Sequence, residues 1–363
     1  MSGEAIDGQD PRLTILLVVP GAWHAPELER AWREQGHRVV VVTSSPDAFP
    51  GAETRPVRIR LLGRVLARLT RSQTIRPVLF TRLAARIVAR EEADVLVVWS
   101  GAALELGDRA DLPAAAILVR GNHHVRTQAG LLSDAPQGSW RPSSAYVRRE
   151  EAEYARFPVS VPTDEIAQDP AWGSATVHVS GYGFPPCAED APQQPDGPLR
   201  LVFLGEPGWR KGLDRVDRLA RLDGVDYVTV IGAGGDDIDA LSPKLRFIGR
   251  QDRSGITDVF RRSHALVLLS REEGQARAGL EALAAGLPLI VTRETGLASF
   301  CSAGAGVVVD ADATADEHAA ALSTVAADWP ALSRRAREIA AARSWRDHAD
   351  EVLDAAREAV DAR

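Results

Sequence analysis

Short, continuous apolar runs alternate with helical stretches along most of this chain. The first run, Leu13 to Val19, ends at Pro20-Gly21; a short helical pattern follows, and then a second run, Arg38 to Val42. Runs that are apolar throughout are typical of strands buried on both faces of a parallel sheet. Because the connections are short and helical, the pattern predicts an α/β architecture.

Two series of such runs lie on either side of a proline-rich segment. Phe184 to Pro198 contains five prolines in fifteen residues, which disfavours both helix and central strand. We therefore predict a first domain over residues 1–184, a linker over 185–198 and a second domain over 199–344. Strands are predicted at Asp94–Trp99, Ala114–Val119, Val159–Val161, Ala175–Val179, Arg200–Leu204, Tyr227–Ile231, Leu245–Ile248, Ala265–Leu269, Leu289–Val291 and Gly306–Val309, with terminal helices at Trp329–Ala342 and Arg346–Ala362.

Composition excludes several classes of protein. The 363 residues are 45% hydrophobic, enough for two cores, and only two are cysteines, so a disulfide framework is not expected. The polar start of the chain and the shortness of its apolar runs argue against a secretory leader and a membrane span. A net charge of −7 argues against nucleic-acid binding. We expect a reduced, cytoplasmic, water-soluble protein.

Charge is nevertheless unevenly distributed. Arg55 to Arg90 contains ten arginines and no acidic residue, which leaves −17 on the rest of the chain. Arginine and apolar stripes alternate there at helical spacing, in Arg60, Arg64, Arg68 and Arg71 beside Leu62, Val65, Leu66 and Leu69, and again in Arg82, Arg86 and Arg90 beside Leu79, Leu83 and Ile87. Two interpretations stay open: a face for an anionic membrane or acidic acceptor, or a packed helix pair with a charged outer face.

The most informative motif is Ser270 to Pro288, directly after an apolar strand. Glu273 lies in the predicted strand-to-helix loop, and Glu281 lies in the helix, with seven residues between the two. Gly274 permits close approach of a ligand, and the next amides, of Gln275 and Ala276, lie at a helix N-terminus that suits phosphate. One carboxylate can then hold ligand hydroxyls and the other a ribose. Two unrelated surface glutamates are the alternative.

Two glycine-containing loops follow other strands of the second series. Phe203 to Gly212 contains Gly205, Arg210 and Lys211, and the two cations can neutralise a diphosphate at the carboxyl end of a strand. Ile231 to Gly235 contains Gly232 and predicts a turn near the ligand. Further on, Asp237 and Asp239 form a D-x-D pattern that we interpret as the start of a surface helix rather than a metal site.

Histidines end two strands of the first series. Arg120 to His124 follows one strand, and Gly21 to His24 follows the first. A cleft role and a buried structural role are equally compatible with the first pattern, and the second is weaker.

These motifs, in this order, resemble the retaining glycosyltransferases of the GT-B fold, of the family-4 type. The second series matches nearly throughout: strand–Gly with Lys211-Gly212, strand–Gly-x-Gly, Phe-Ile-Gly, Ser-x-x-Glu-Gly with the later Glu-Ala, and Thr-x-x-x-Gly. The first series matches only in outline. The resemblance implies two Rossmann-like domains facing a cleft, with the C-terminal helix, residues 345–363, returning to the first domain.

By the same resemblance, the chain transfers a sugar from a nucleotide diphosphate sugar to an acceptor, with retention of configuration and without a metal or other cofactor. Lys211 binds the diphosphate, Glu273 the sugar hydroxyls and Glu281 the ribose. His123 matches the histidine near the donor sugar. The other donor-binding positions are Gly21, Gly205, Arg210, Gly232, Gly249, Arg250, Gly274, Gln275 and Ala276.

The sequence departs from the family pattern in places, and the acceptor stays open. Glu206 stands where an arginine is usual, and Gln275-Ala276 replace Phe-Gly. The alternatives are a non-catalytic or epimerase-like nucleotide-sugar-binding protein of the same fold, or a metal-dependent GT-A transferase. A lipid-linked, glycan or secondary-metabolite acceptor is compatible with the sequence, as is contact with the inner face of a membrane.

Overall fold

A computed structural model describes residues 12–59, 72–107, 112–113, 115–188, 190, 192–234 and 241–361. The first series of apolar runs forms a seven-stranded sheet of order β3-β2-β1-β4-β5-β6-β7. Its strands are β1 (Thr14–Val19), β2 (Arg38–Thr43), β3 (Glu53–Pro56), β4 (Val95–Trp99), β5 (Ala115–Val119), β6 (Val159–Val161) and β7 (Val177–Val179). Its helices are α1 (Ala25–Glu34), α2 (Ile75–Val88), α3 (Val125–Leu131), α4 (Ser144–Tyr154) and α5 (Asp164–Ala167).

The second series forms a six-stranded parallel sheet of order β10-β9-β8-β11-β12-β13. Its strands are β8 (Leu199–Leu204), β9 (Val225–Ile231), β10 (Leu245–Gly249), β11 (Ala265–Leu268), β12 (Leu289–Thr292) and β13 (Gly306–Val309). The helices are α6 (Leu213–Ala220), α7 (Arg253–Arg262), α8 (Arg277–Ala284), α9 (Ala298–Phe300), α10 (Ala315–Ala341) and α11 (Trp345–Asp361). Two parallel α/β sheets and the C-terminal helices are as the sequence predicts.

Each sheet has one point at which the strand order reverses. In the first sheet the chain builds outward from β1 through β2 and β3, and then returns to add β4 on the other side of β1. The second sheet does the same at β8 and β11. Ligands of open α/β sheets bind outside the carboxyl ends of the strands at such a reversal. Ligand sites are therefore expected at the loops that follow β1 and β4 and at the loops that follow β8 and β11.

The chain forms two compact units. Unit 1 comprises residues 1–119, 148–160 and 349–363, and unit 2 comprises residues 120–147 and 161–348. The domain boundaries expected from the proline-rich segment stay a prediction; residues 120–147 and 161–184 are grouped with unit 2. The described part of the predicted linker 185–198 contains neither helix nor strand.

The C-terminal helix α11 has most of its length in unit 1. The indole nitrogen of Trp32, in α1, donates a hydrogen bond to the carbonyl of Ala349 at 3.0 Å, and Gln35 bonds to Asp350. Ala349 and Val352 are completely buried. The expected return of the chain end to the first part of the protein is thus present, and apolar contact as well as hydrogen bonding holds it.

Three elements differ from the sequence predictions. The edge strand β3 was not predicted, because its residues are polar and half-exposed. Helix α10 begins at Ala315 rather than Trp329 and continues through Pro330; its start is a capping box of Thr314 and Glu317. In α2 the buried face contains Phe80, Ala84 and Val88, whereas the predicted apolar stripe at Leu79 is half-buried. The arginine stripe at residues 60–71 lies outside the described residues.

Candidate functional site

The loop after β11 is packed against the loop after β5, and glycine makes this approach feasible. A Cβ atom added to Gly274 would lie 1.7 Å from the carbonyl oxygen of Gly121. The Gly274 amide donates to the side-chain oxygen of Asn122 at 3.2 Å. The sequence interpretation left room for a ligand at Gly274; the structure shows that the backbone of a second loop requires the glycine. Both loops belong to unit 2.

Glu272 lies completely buried where these loops meet. One of its carboxylate oxygens lies 3.4 Å from Nδ1 of His123, and the other accepts a hydrogen bond from the Gln128 amide at 3.0 Å. The Arg210 guanidinium lies 3.5 Å away. Burial raises the pKa of Glu272, but the hydrogen bond from His123 and the Arg210 charge outweigh it, and the pKa lies below its ordinary value. A buried carboxylate therefore stays ionised and fixes the orientation of His123.

His123 reaches this site from the loop after β5. With Nδ1 directed at Glu272, the remaining polar atom of the ring is Nε2, and the side chain is 17% exposed. Arg120 supports the same loop, donating to the carbonyl of His123 at 2.7 Å and to the side-chain oxygen of Gln128 at 2.9 Å. His123 is therefore held by two contacts: Glu272 faces its ring, and the buried cation Arg120 binds its backbone carbonyl.

Three residues predicted from two separate motifs, Glu273, Arg210 and Lys211, form one ionic cluster. One carboxylate oxygen of Glu273 accepts from Arg210 at 3.2 Å and from the ammonium of Lys211. The loop of Glu273 is held by its amide, which donates to the carbonyl of Glu294 at 3.1 Å. The Glu273 and Glu272 charges raise the pKa of Arg210 against the effect of burial. Two cations and two carboxylates thus meet at the carboxyl ends of β8 and β11.

Arg271, which sequence reasoning missed, holds the cationic loop in place. Its guanidinium forms two hydrogen bonds of 2.7 Å with Asp214, at the start of α6, and donates to the carbonyl of Trp209 at 2.6 Å. It also lies over the Trp209 ring, 4.2 Å from the centroid. Gly212 has a φ of +70°, and a Cβ there would lie 1.9 Å from the carbonyl oxygen of Leu269. Lys211 is therefore fixed on one side by the loop that Arg271 holds and on the other by the close packing of Gly212 on the Leu269 backbone.

The remaining predicted residues of unit 2 lie at the ends of strands β8, β9 and β10 and in helix α8. Gly205 and Gly232 end neighbouring strands in contact, since a Cβ on Gly232 would lie 1.8 Å from the Gly205 carbonyl oxygen. The carbonyl of Gly249 accepts from the Gly232 amide at 3.1 Å, which joins a third strand end to this pair. Arg250, next along the edge, is exposed. Glu281 is half-exposed in α8, 3.9 Å from Arg277.

Gln275 and Ala276 are buried rather than open. The side-chain oxygen of Gln275 accepts a hydrogen bond from the Tyr182 amide at 2.6 Å, and Ala276 occupies the position just before the first residue of α8. The Gln275 side chain therefore anchors the 181–184 segment. Gly21 lies in unit 1, after β1.

Metal-ligand clusters and membrane-spanning helices are both missing from the residues that the structure describes. Among them, no group of three or more His, Cys, Asp or Glu side chains is arranged to hold a metal ion. Asp237 and Asp239 of the D-x-D pattern lie outside the described residues. No helix within the described ranges combines the length and the apolar character needed to cross a membrane.

The segment that contains the ionic cluster matches a known family. Residues 189–345 match the family described as glycosyl transferases group 1. This segment is similar to group 1 glycosyltransferase domains. It contains Lys211, Glu273 and Glu281, whereas His123 precedes it in the chain.

Solved glycosyltransferases share the fold of the whole chain. Sucrose-phosphate synthase from Thermosynechococcus elongatus matches with a TM-score of 0.76 and 16% identity, over 97% of this chain and 100% of that one. WaaG, a glycosyltransferase involved in lipopolysaccharide biosynthesis, matches with a TM-score of 0.68 and 16% identity, over 94% and 98%. HepE from Anabaena, solved in complex with UDP-glucose, matches with a TM-score of 0.65 and 14% identity, over 97% and 99%. The fold is therefore GT-B. A search of curated proteins found no match.

Proposed function

We propose that this protein is a retaining, metal-independent glycosyltransferase that takes its sugar from a nucleotide diphosphate sugar. The observation that carries the proposal is the cluster of Arg210, Lys211 and Glu273 at the reversal between β8 and β11, inside the group 1 domain. A diphosphate placed there meets two cations, and a sugar meets a carboxylate that accepts hydrogen bonds from hydroxyls.

In this reaction the bond between the anomeric carbon and the diphosphate oxygen breaks, and a bond from that carbon to the acceptor oxygen forms. The proton of the acceptor hydroxyl goes to the departing phosphate. Lys211 and Arg210 stabilise the negative charge that develops on the leaving group, and fixed cations in a partly buried site do so without a metal. Configuration is retained when the acceptor approaches on the face that the diphosphate leaves.

The other predicted residues receive matching roles. Glu281 binds the ribose, and Gly249 and Arg250 lie beside the base. His123, held by Glu272, presents Nε2 to the donor sugar. The amides of Gln275 and Ala276, together with Gly205, Gly232 and Gly274, line the phosphate and sugar positions. Gly21 stays a candidate for donor contact from unit 1.

We further propose a cytoplasmic enzyme with peripheral contact to the inner face of a membrane through Arg55–Arg90. Arg55 itself is ion-paired with Glu53 and Glu91. Arg76, Arg82, Arg86 and Arg90 are exposed, and these four support the membrane contact.

A non-catalytic nucleotide-sugar-binding protein is the second candidate, and one observation favours it. The ammonium of Lys211 is already paired with Glu273, so donor binding has to exchange this partner for a phosphate. A binding protein and an enzyme differ in whether the donor is consumed. Release of nucleotide diphosphate from UDP-, GDP-, ADP- and dTDP-sugars, with and without candidate acceptors, separates them.

The test of the donor site is Lys211→Ala and Glu281→Ala. Each removes a charge-assisted interaction worth roughly 1.5–3 kcal/mol, so donor affinity falls by about tenfold or more. Thermal stabilisation by the same nucleotide sugars measures affinity. Arg293→Ala and Glu338→Ala, which remove exposed charges of unit 2, are the matched controls. Wild-type donor affinity in both site variants would reject the assignment.

Metal independence and retention have their own measurements. Activity is expected to be unchanged in EDTA, and the configuration of the product at the transferred sugar, determined by NMR, is expected to equal that of the donor. Activity that disappears in EDTA and returns with manganese would favour the metal-dependent alternative.

A further inference from the structure

Trp23 combines an exposed indole with an unusual backbone conformation. It follows β1, and 54% of its surface is exposed. Its φ is +42°, a region that residues other than glycine rarely adopt. An indole that is more than half exposed gains only part of the stabilisation that burial offers, and its backbone conformation is unfavourable. Strained residues of this kind concentrate where ligands bind.

A second tryptophan lies behind the first. The Trp23 and Trp99 rings are nearly parallel, with an interplanar angle of 6° and centroids 6.3 Å apart, an offset stack. Trp99 ends β4 and is only 5% exposed, and the buried His24 ring lies 4.7 Å from it. The indole of Trp23 is therefore supported by a rigid, buried aromatic layer while much of its own surface faces solvent.

Gly21 lets the indole lie against the backbone. A Cβ atom at this position would lie 3.3 Å from the Trp23 ring, closer than side chains usually pack. The glycine after the first strand thus accommodates the aromatic ring. Sequence reasoning assigned this glycine to donor binding and did not use Trp23.

The position in the fold points to a ligand. Trp23 follows β1 and Trp99 ends β4, the two strands at which the order of the first sheet reverses. The loop after β4 is also fixed, since the buried carboxylate of Glu153 accepts hydrogen bonds from the amides of Gly101, Ala103 and Leu104. The carboxyl ends of strands at a reversal are where open α/β sheets bind ligands.

We propose that Trp23, supported by Trp99, is a stacking platform for a pyranose ring of the acceptor. The proposal rests on the proposed function and deepens it, because it makes the acceptor a saccharide or glycoside. A pyranose has a flat face of C–H groups and a rim of hydroxyls. The flat face suits an exposed indole, and the rim leaves a hydroxyl available for transfer. Apolar walls with few polar contacts are typical of small-molecule sites.

The test uses a defined probe. Saturation-transfer NMR measures contact between the full-length protein and methyl α-D-glucopyranoside, with benzyl alcohol as an aromatic counterpart. Trp23→Phe keeps a ring, Trp23→Ala removes it, and Trp140→Ala removes the indole of another exposed tryptophan, 47% exposed, in unit 2. We expect transfer to the C–H protons of the pyranoside with wild type and Trp140→Ala, a reduced signal with Trp23→Phe, and a loss of about tenfold with Trp23→Ala.

Three results would overturn the proposal: no saturation of the pyranoside by wild type, equal saturation by wild type and Trp23→Ala, or a Trp23-dependent signal for benzyl alcohol alone. Circular dichroism verifies that each variant is folded. Nucleotide-sugar stabilisation of the same variants separates the two proposals, since we expect Trp23→Ala to bind donor normally. Absence of donor binding in every form would refute the proposed function and leave the platform to be judged by the NMR result.

Discussion

Replacement of the buried carboxylate Glu272 tests whether this charge organises the candidate site. Glu272→Gln keeps the shape of the side chain and one acceptor oxygen but removes the charge that faces His123 and Arg210. Glu272→Ala removes every contact. Glu165→Gln, an exposed acid in unit 2, is the control.

The magnitude follows from the three partners of Glu272. Hydrogen bonds to charged groups contribute roughly 1.5–3 kcal/mol each, and removing one partner of a buried ion pair costs about 3–5 kcal/mol. Arg210 retains Glu273 as a partner in both variants. The histidine can present its other tautomer to the glutamine. We therefore expect Glu272→Gln to lower the free energy of unfolding by about 1.5–3 kcal/mol and Glu272→Ala by about 3–5 kcal/mol.

Urea unfolding at several pH values is the assay. The pKa of Glu272 is depressed in the folded protein, so its contribution is present above the ordinary pKa of a glutamate and is lost as pH falls through the folded pKa. The difference between wild type and Glu272→Gln is thus expected to be constant from about pH 6 to 8 and to shrink below about pH 4.

Activity provides a second readout for the same variants. If Glu272 orients His123, then Glu272→Gln lowers kcat and alters its pH profile, while donor affinity changes less. Equal stability of wild type and Glu272→Gln at pH 7, or a stability difference that grows as pH falls, would refute the reasoning about this charge.

Two further predictions concern other parts of the chain. Burial, aided by the Arg343 charge, lowers the pKa of His348 to about 3. Because the unfolded chain binds a proton at this position and the folded protein does not, we expect wild type to lose about 2 kcal/mol of stability between pH 6.5 and 5, and His348→Phe to retain it. Urea unfolding measures both, and an unchanged pH dependence in the variant would contradict this prediction. Each of the exposed residues Arg82, Arg86 and Arg90 contributes about 1 kcal/mol near an anionic bilayer. Changing all three to Gln is therefore expected to weaken binding to phosphatidylserine vesicles, measured by co-sedimentation at low salt, by about a hundredfold. Wild-type protein that stays in the supernatant would identify an ordinary solvated helix face.

Local signals in the sequence were sufficient for most of the architecture. Continuous apolar runs predict β1 and β11 because a strand buried on both faces has no place for a polar residue. The same signal fails for β3, a polar edge strand whose position is set by pairing with β2. Pro330 obscured the first half of α10, although Thr314 and Glu317 form a capping signal that could have located its start.

The candidate site likewise contains residues that the sequence predicted and one, Glu272, that it did not. The motifs placed Lys211 and Arg210 at the end of one strand and Glu273 at the end of another, and the structure joins them into one cluster. Their roles toward a donor stay predictions. Glu272 was not singled out, because a neighbouring glutamate carries the motif, and the sequence does not show which of two adjacent carboxylates points inward.

What the sequence determined by itself is most of the strands, the charge pattern and the chemistry available at the ends of those strands. Tertiary structure alone decided which of these residues meet. Glu272 is ionised and buried because side chains from His123, Gln128 and Arg210 converge on it. Trp23 and Trp99 stack because the sheet places β4 beside β1, across some seventy-six residues of chain. Hydrophobic periodicity is a local property that can be recognised in the sequence. Desolvation and ion pairing depend on neighbours that only the folded chain supplies.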